Sequence, residues 1–362
     1  MNTRDSQRRW LRPIGRYMAQ GVAAMSISVA VVSVAVAKPL PVVASFSILG
    51  DMVSVVGGDA VEVNTLIGPN ADAHAFEPRP GDVRKLADAQ LLVVNGLQFE
   101  PWLAGLVQSA GYTGKQIEAT KGVQPLANHG HADDHTDDHD HDHDHDHDHD
   151  HDHDHDHDHD HDHDHDHDHD HDHDHGHSHG HEHHQHGPQD PHAWQSLENA
   201  VVYVENIRDA LSEVAPESAS VFQENAARYI EQLQQLDAQA KERLAAIPTD
   251  RRKAMVSHDA LAYLGKAYNI EFVPLLGMSS QAEPSAREVA DLVKRARAEH
   301  ITAIFLENAV SPALAEQLAR ETGARMGGTL YTDALAEPGH EADTYLGMMQ
   351  GNLRTIEQAL QP

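Results

Sequence analysis

At 362 residues the chain is long enough for two domains of ordinary size, each with a core of its own. Its formal net charge of −32, with only 26 Lys and Arg, excludes the clustered basic surface that nucleic acid requires. There is no cysteine, so disulfides, thiolate metal sites and lipid attachment through a cysteine are excluded as well.

The first segment reads as an address rather than as fold. Arg4, Arg8, Arg9, Arg12 and Arg16 precede an apolar run over residues 21–37, which closes on Ala35-Val36-Ala37 before Lys38. A basic flank, an apolar run and a small-x-small end make a secretory signal. The run falls short of the about 20 residues that a spanning helix needs, so residues 1–37 are expected to be a cleaved signal peptide rather than an anchor. The mature chain then starts at Lys38, most simply in a bacterial periplasm. Residues 41–47 (PVVASFS), 61–66 and 91–94 (LLVV) are short apolar runs with β-branched content and read as strands. They alternate with helical patterns such as residues 81–89.

Residues 129–186 are almost nothing but histidine and aspartate, with strict His-Asp alternation over residues 139–175. The tract supplies 22 Asp and Glu182 with no Lys or Arg, which leaves only −9 for the rest of the chain. It has no apolar residue to offset ordering entropy, so it is expected to be a disordered insertion. As a flexible coil it would span roughly 40 Å. Imidazoles beside carboxylates suit transition metals without demanding a fixed geometry, so it is also read as a metal-binding sponge. The tract takes 28 of the 33 histidines, which leaves only His74, His192, His258, His300 and His340 outside it.

Beyond the tract, Leu197, Ala200, Val201, Val204, Ile207, Leu211 and Val214 recur at helical spacing, and Pro216 ends that helix. Residues 217–247 contain neither Gly nor Pro, and Phe222, Ala226, Tyr229, Leu233, Leu236, Ala240 and Leu244 step by three and four. The spacing predicts one amphipathic helix of about 45 Å. Residues 254–257 (AMVS), 270–275 (IEFVPL), 301–306 (ITAIFL) and 329–331 then read as strands. Ser285 and Glu288 form a capping box, and Ser311-Pro312 places proline at the first position of another helix. The expected fold class is α/β: two βα lobes with parallel sheets, residues 38–216 and 248–362, joined by a long rigid helix over residues 217–247.

In open α/β sheets, ligands sit beyond the carboxyl ends of the strands. His258 lies there, after AMVS and at the head of the next helix, and Asp333 lies two residues past Tyr331. His74 falls in the turn-rich loop Gly68-Pro69-Asn70-Ala71-Asp72-Ala73-His74, and His192 in Asp190-Pro191-His192-Ala193-Trp194, just before a helix. Any one of these alone would read as an ordinary loop or core residue, and Asp333 as a helix cap. Together they are three imidazoles and one carboxylate from four loops, two per lobe. That pattern points to a metal held between the lobes. His300, at a polar helix end, and His340, in a polar loop, are not candidates.

At this point the chain resembles the metal-binding solute receptors of bacterial ABC importers, and among them the zinc-specific periplasmic receptors. The resemblance rests on GPNADAHAFEPRPGD over residues 68–82, on Val94-Asn95-Gly96 with Glu100 and Trp102, and on Asp190-Pro191-His192-Ala193-Trp194. It continues in Ser257-His258-Asp259-Ala260 with Tyr263, Glu283-Pro284-Ser285, Phe305-Leu306-Glu307 and Leu330-Tyr331-Thr332-Asp333. One departure is Asp72-Ala73-His74, where many relatives have Asp-Pro-His. The resemblance implies a metal in the interlobe cleft, little hinge motion, and His74, His192 and His258 as ligands. The fourth ligand is Asp333, a nearby Glu or a water. It also implies zinc as the transported ion, and a membrane permease and an ATPase subunit as partners of a monomeric receptor. Three imidazoles with one carboxylate suit tetrahedral zinc, whereas an oxygen-richer set favours manganese. Asp72, Glu77, Asp259 and Glu307 are candidates to take the ligands' other ring N–H.

Two rival readings are weaker. A zinc hydrolase would use a similar ligand set, but no His-Glu-x-x-His, Gly-x-Ser-x-Gly or Walker A motif is present. A periplasmic metal buffer or chaperone without a transporter would make the tract its principal binding site.

Overall fold

The computed structural model describes residues 38–128, 189–276 and 285–362. The expected signal peptide, the tract and Glu283-Pro284 lie outside the described residues.

The run at 41–47 becomes strand β1 (Leu40–Phe46), followed directly by helix α1 (Ser47–Gly57). Strand β2 (Val61–Ile67), helix α2 (Pro80–Ala87), strand β3 (Leu91–Val94), helix α3 (Leu103–Ala110) and strand β4 (Lys115–Glu118) complete the first βα series. All four strands are parallel in the order β2-β1-β3-β4. The central strands β1 and β3 are almost wholly buried and almost wholly apolar, while the edge strands β2 and β4 alternate. That contrast is what burial on two faces against one demands. Helix α4 (Leu197–Val214) returns from the far side of residues 129–188 to pack against β3 and β4.

Helix α5 (Ala219–Ala245) carries the predicted long apolar stripe, with Phe222, Ala226, Tyr229, Leu233, Leu236, Ala240 and Leu244 all buried. It is two residues shorter at each end than residues 217–247. Pro216 opens a separate 3₁₀ turn over Pro216–Ser218 instead. At 27 residues it runs about 40 Å and packs on α1 and α4.

The second series repeats the first: strand β5 (Lys253–Val256), helix α6 (Ala262–Tyr268), strand β6 (Glu271–Pro274), helix α7 (Ala286–Ala298), strand β7 (Ala303–Glu307), helix α8 (Ala313–Thr322), strand β8 (Arg325–Leu330) and helix α9 (Tyr345–Leu360). Its strand order, β6-β5-β7-β8, matches the first sheet position for position, and it too is parallel throughout. The Ser285–Glu288 capping box forms as expected. Pro312 is the N-cap of α8 rather than its first residue. Strand β8 starts at Arg325, four residues before the expected 329, because Gly327 and Gly328 hide it. A Cβ on Gly327 would lie 2.6 Å from the Phe305 ring, and Gly328 sits at φ +111° beside a register shift at Ile304/Phe305.

The two series share one core. A single apolar cluster runs from Val42 and Val93 through Trp194 and Phe222 to Phe305 and Leu353, and a smaller one with Met255, Ile304 and Leu318 lies under α7 and α8. Helix α9 covers β8 and also packs on α5 and α1, where Asp51 of α1 accepts the Tyr345 N–H at 2.9 Å. Among the described residues no helix is long and apolar enough to cross a membrane.

If α5 is the shared wall of both lobes, truncating its buried stripe should destabilise the whole molecule. Leu233→Ala is expected to cost about 2–5 kcal/mol in urea unfolding. Val221→Ala, at a position 45% exposed, should stay within about 0.5 kcal/mol. Equal effects at the two sites would contradict this packing.

Candidate metal centre

Each sheet reverses its strand order between its first and third strands, and the functional side chains collect beyond those carboxyl ends. His258 follows β5 in a loop that precedes α6 by four residues, so it does not head that helix. Glu307, the last residue of β7, receives it there. Its Oε1 accepts the His258 backbone N–H at 2.9 Å, and its Oε2 lies 2.7 Å from ring Nδ1. Thr332 Oγ1 donates to the same Oε2 at 2.7 Å.

His192 is set by Asp190 in a tight turn. Asp190 Oδ1 accepts the His192 backbone N–H at 2.9 Å and lies 2.8 Å from its ring Nδ1. With His192 Nδ1 hydrogen-bonded to Asp190 and His258 Nδ1 in ion-pair contact with Glu307, Nε2 of each ring is left to face the cleft. His74 comes from the β2–α2 loop, where Asp72 Oδ1 accepts its backbone N–H at 2.8 Å. Asp333 comes from the loop between β8 and α9.

All four residues meet. Each offers one ligand atom, and these atoms lie within 4.8 Å of one another. Asp333 Oδ2 is 3.1 Å from His74 Nε2 and 3.0 Å from His258 Nε2, and Asp333 Oδ1 is 3.7 Å from His192 Nε2. His192 and His258 are fully buried, and the side chains of His74 and Asp333 are only 3% and 4% exposed. Among the described residues, His192 Nε2 and Asp333 Oδ1 are buried without a hydrogen-bond partner. A buried polar atom left unpaired costs about 1–3 kcal/mol, so two of them aimed at one point mark a place built for a ligand.

The charges explain why the cluster tolerates burial. Desolvation opposes protonation of His258, yet Glu307 and Asp333 outweigh it and hold the imidazole well above its usual range. For His192, burial is again the largest influence and acts downward, but Asp333 and Asp190 together raise it. Burial pushes the Asp333 carboxyl up, and His258 and His192 overcome that and hold it well below the carboxylate range. The centre is thus a set of negative groups behind and among imidazoles. It is an arrangement for a cation.

The loop of Asp333 is strapped to the opposite lobe. The Thr332 carbonyl accepts from Trp194 Nε1 at 2.8 Å and Gln195 Nε2 at 2.7 Å, and Leu335 donates its N–H to Ser47 Oγ at 3.0 Å. Behind His192, Asn95 donates from Nδ2 to the Pro191 carbonyl and accepts from Tyr203 OH at 2.6 Å. Glu100 holds that turn in place: it accepts from Ser45 Oγ at 2.6 Å, from Asn95 N–H at 2.7 Å and from Gly96 N–H at 3.2 Å. The residues flanking 129–188 also meet here. Ala127 and Gln189 form an antiparallel bridge, Asp190 N–H donates to the Leu126 carbonyl, and Tyr263 OH donates to the Asp190 carbonyl.

Of the expected imidazole partners, Glu307 holds His258, and Asp72 takes the backbone of His74. Glu77 is exposed and lines a separate cavity, and Asp259 is half-buried beside His258. Asp190 was not anticipated, although an aspartate two residues before a histidine across a proline is the spacing of an Asx turn. His300 is exposed at φ +54° just past α7. His340 is exposed, and its Nδ1 accepts the Ala342 N–H.

Comparison with known proteins adds a family and a fold. A family model described as "Zinc-uptake complex component A periplasmic" matches residues 42–359. The iron-binding protein YfeA of Yersinia pestis is 28% identical over 320 residues, covering 88% of this chain and 86% of that protein. A solved Mn-bound periplasmic metal binding protein of Candidatus Liberibacter asiaticus is 26% identical with a TM-score of 0.67, covering 89% of this chain and all of its own. The periplasmic zinc binding protein TroA of Treponema pallidum superposes at a TM-score of 0.70 over 90% of this chain and 100% of its own. At 23% identity it is a likeness of fold.

The support beneath His192 generates a pH dependence. Burial pushes the Glu100 carboxyl up from 4.5 to about 7, against its three hydrogen bonds. The folded chain therefore binds this proton more tightly than the unfolded chain does. The resulting stability is present in full below about pH 4.5 and is lost as the pH rises through about 7. Between pH 5 and 8 the wild type should lose about 2–3 kcal/mol relative to Glu100→Gln in urea unfolding. Parallel profiles for the two proteins would show that Glu100 does not titrate in this range.

Proposed function

We propose that this chain, which belongs to the family of the periplasmic component A of zinc-uptake complexes, captures zinc in its interlobe cleft and delivers it to an ABC importer. The family consists of substrate-binding components of metal ABC importers and not of enzymes, so a permease and an ATPase subunit are the partners that move the metal. The observation that carries the reading is the convergence of His74, His192, His258 and Asp333 within 4.8 Å of one another.

Several features favour zinc as the cargo. At zinc–ligand bonds of about 2.0–2.1 Å, neighbouring ligand atoms of a tetrahedron stand about 3.3 Å apart. Asp333 Oδ2 stands 3.0 and 3.1 Å from the His258 and His74 Nε2 atoms, close to that value, within a set of ligand atoms that spans up to 4.8 Å. Three nitrogens to one carboxylate is a donor set for zinc, since manganese prefers oxygen. Each engaged Nδ1 raises the basicity of its ring, as zinc-binding histidines require. Manganese or iron is the rival cargo, favoured by relatives that carry those metals. Direct competition between the metals decides it.

The remaining assignments belong to the same reading. Residues 1–37 direct the chain to the periplasm, residues 38–216 and 248–362 form the lobes around a linking helix over residues 217–247, and the receptor works as a monomer. The His/Asp tract gathers zinc at several weak sites. Its flanking residues Ala127 and Gln189 pair within three residues of His192, which favours a supply role next to the cleft.

Zinc titration of the mature protein, read by calorimetry and X-ray absorption, should give one tight site with nitrogen-rich, four-coordinate zinc. Asp190→Asn should weaken that site by about 10- to 100-fold, the usual cost of losing an orienting partner. His192→Ala should weaken it further, Asp333→Ala should alter coordination without abolishing binding, and His340→Ala should change nothing. An unchanged His192→Ala titration would sink the assignment. Deleting residues 133–182 should remove weak sites and leave the tight one. Loss of the tight site on that deletion would instead make the tract the principal binder.

A further inference from the structure

The loop that carries His74 is pinned to the opposite lobe at the rim of the cleft. Its second half is anchored by buried Ala73 and by Phe76 packed on Trp102, with ring centroids 4.8 Å apart. An open cavity of about 510 Å³ borders both halves, lined by Ala71, Asp72 and Phe76 among others, and in the first half only half-buried Ala71 packs on the core. Its polar tie to the opposite lobe is Asn70, in the left-handed region at φ +52°. The Asn70 N–H donates to the Leu335 carbonyl at 2.9 Å. Its side-chain Oδ1 accepts from Asn308 Nδ2 at 3.1 Å, and that same Nδ2 donates to the Ala334 carbonyl at 3.2 Å.

The orientation of Asn308 follows from its surroundings. Its Oδ1 is buried with no hydrogen-bond partner among the described residues, and turning the amide over would set oxygen against two acceptors. One amide thus ties together three loops. Asn70 lies four residues before His74, Asn308 directly follows the Glu307 that holds His258, and Ala334 directly follows Asp333. Asn70 is exposed and Asn308 half-buried, so water can replace this bond far more readily than it can replace the buried strap at Thr332.

We infer that Asn70 and Asn308 form a rim latch that sets how fast metal passes in and out of the cleft. Both are positioning residues, since neither is among the four candidate ligands. The inference rests on the reading of the cleft as the metal site. Because the latch uses no ligand atom, it forms whether or not metal is bound, and breaking it lowers the barrier in both directions. A damaged ligand would behave otherwise, raising the release rate and the Kd together.

The test uses the full mature protein with zinc as the probe, and stopped-flow transfer to an excess of chelator. The weak tract sites empty in a fast phase and the cleft in a slow one. Asn308→Ala and Asn70→Gly, the latter keeping the positive φ and the backbone bond, should each speed the slow phase by about three- to tenfold, the worth of one exposed amide bond. The loading rate should rise by a similar factor, Kd should stay within about twofold, and the double variant should match the single ones. Amide exchange of the metal-free protein should rise over residues 68–74. Unchanged rates in Asn308→Ala, or a Kd that climbs in step with release, would overturn the latch. If the wild type shows no slow zinc phase, it is the zinc reading that fails, and the same rates read with manganese still test the latch.

Discussion

The cleft depends on keeping one buried carboxylate charged. Burying an ion costs several kcal/mol even after relaxation, and Asp333 is 3% exposed. Three imidazoles repay that cost, two of them at 3.0–3.1 Å. They do so only because Glu307 and Asp190 stand behind His258 and His192 and favour their charged or strongly polarised forms. The layers are interdependent. Replacing the Asp190 side chain would remove both of its bonds to His192 at once, while its backbone bonds to Tyr263 and Leu126 would remain.

The lobes are coupled by the same residues that make the site. Asp333 belongs to the second βα series, yet the carbonyl before it and the N–H two residues after it are bonded to Trp194, Gln195 and Ser47 of the first. Trp194 is fully buried, packs on Phe46 and Phe99 at 4.9 Å, and accepts the Tyr345 hydroxyl on its own carbonyl. With one apolar core running through both series, opening them like a hinge would expose that core. A shared core therefore opposes hinge opening, whereas at the rim the Asn70–Asn308 contact is one exposed hydrogen bond.

Much of this was legible in the sequence because the signals were local. Parallel strands buried on both faces wrote themselves as apolar runs at 41–47 and 91–94, and the stripe of α5 is periodic over seven buried positions. His74, His192, His258 and Asp333 stood out because each follows a strand or sits among turn residues, and because so few histidines lie outside the tract. Where the signal was weak, the reason is specific. Strand β8 was hidden by glycines needed for close approach to Phe305, and α6 starts later than the His258 motif suggests because the loop must first turn that ring toward Glu307. Asn70 and Asn308 were illegible, since two asparagines 238 positions apart leave no periodicity and no motif.

Asp190 shows most clearly what a local pattern conceals. In the sequence it is one letter of Asp-Pro-His, and its spacing suggests only a turn. In the fold a single oxygen makes that turn and also holds the imidazole, at 2.9 and 2.8 Å. The proline between them restricts the backbone so that both bonds form at once. A turn of three residues thus aims Nε2, and Asn95 and Tyr263 hold that turn in place through the Pro191 and Asp190 carbonyls. That support allows His192 to sit at the root of an insertion as long as residues 129–186 while its ring still faces Asp333.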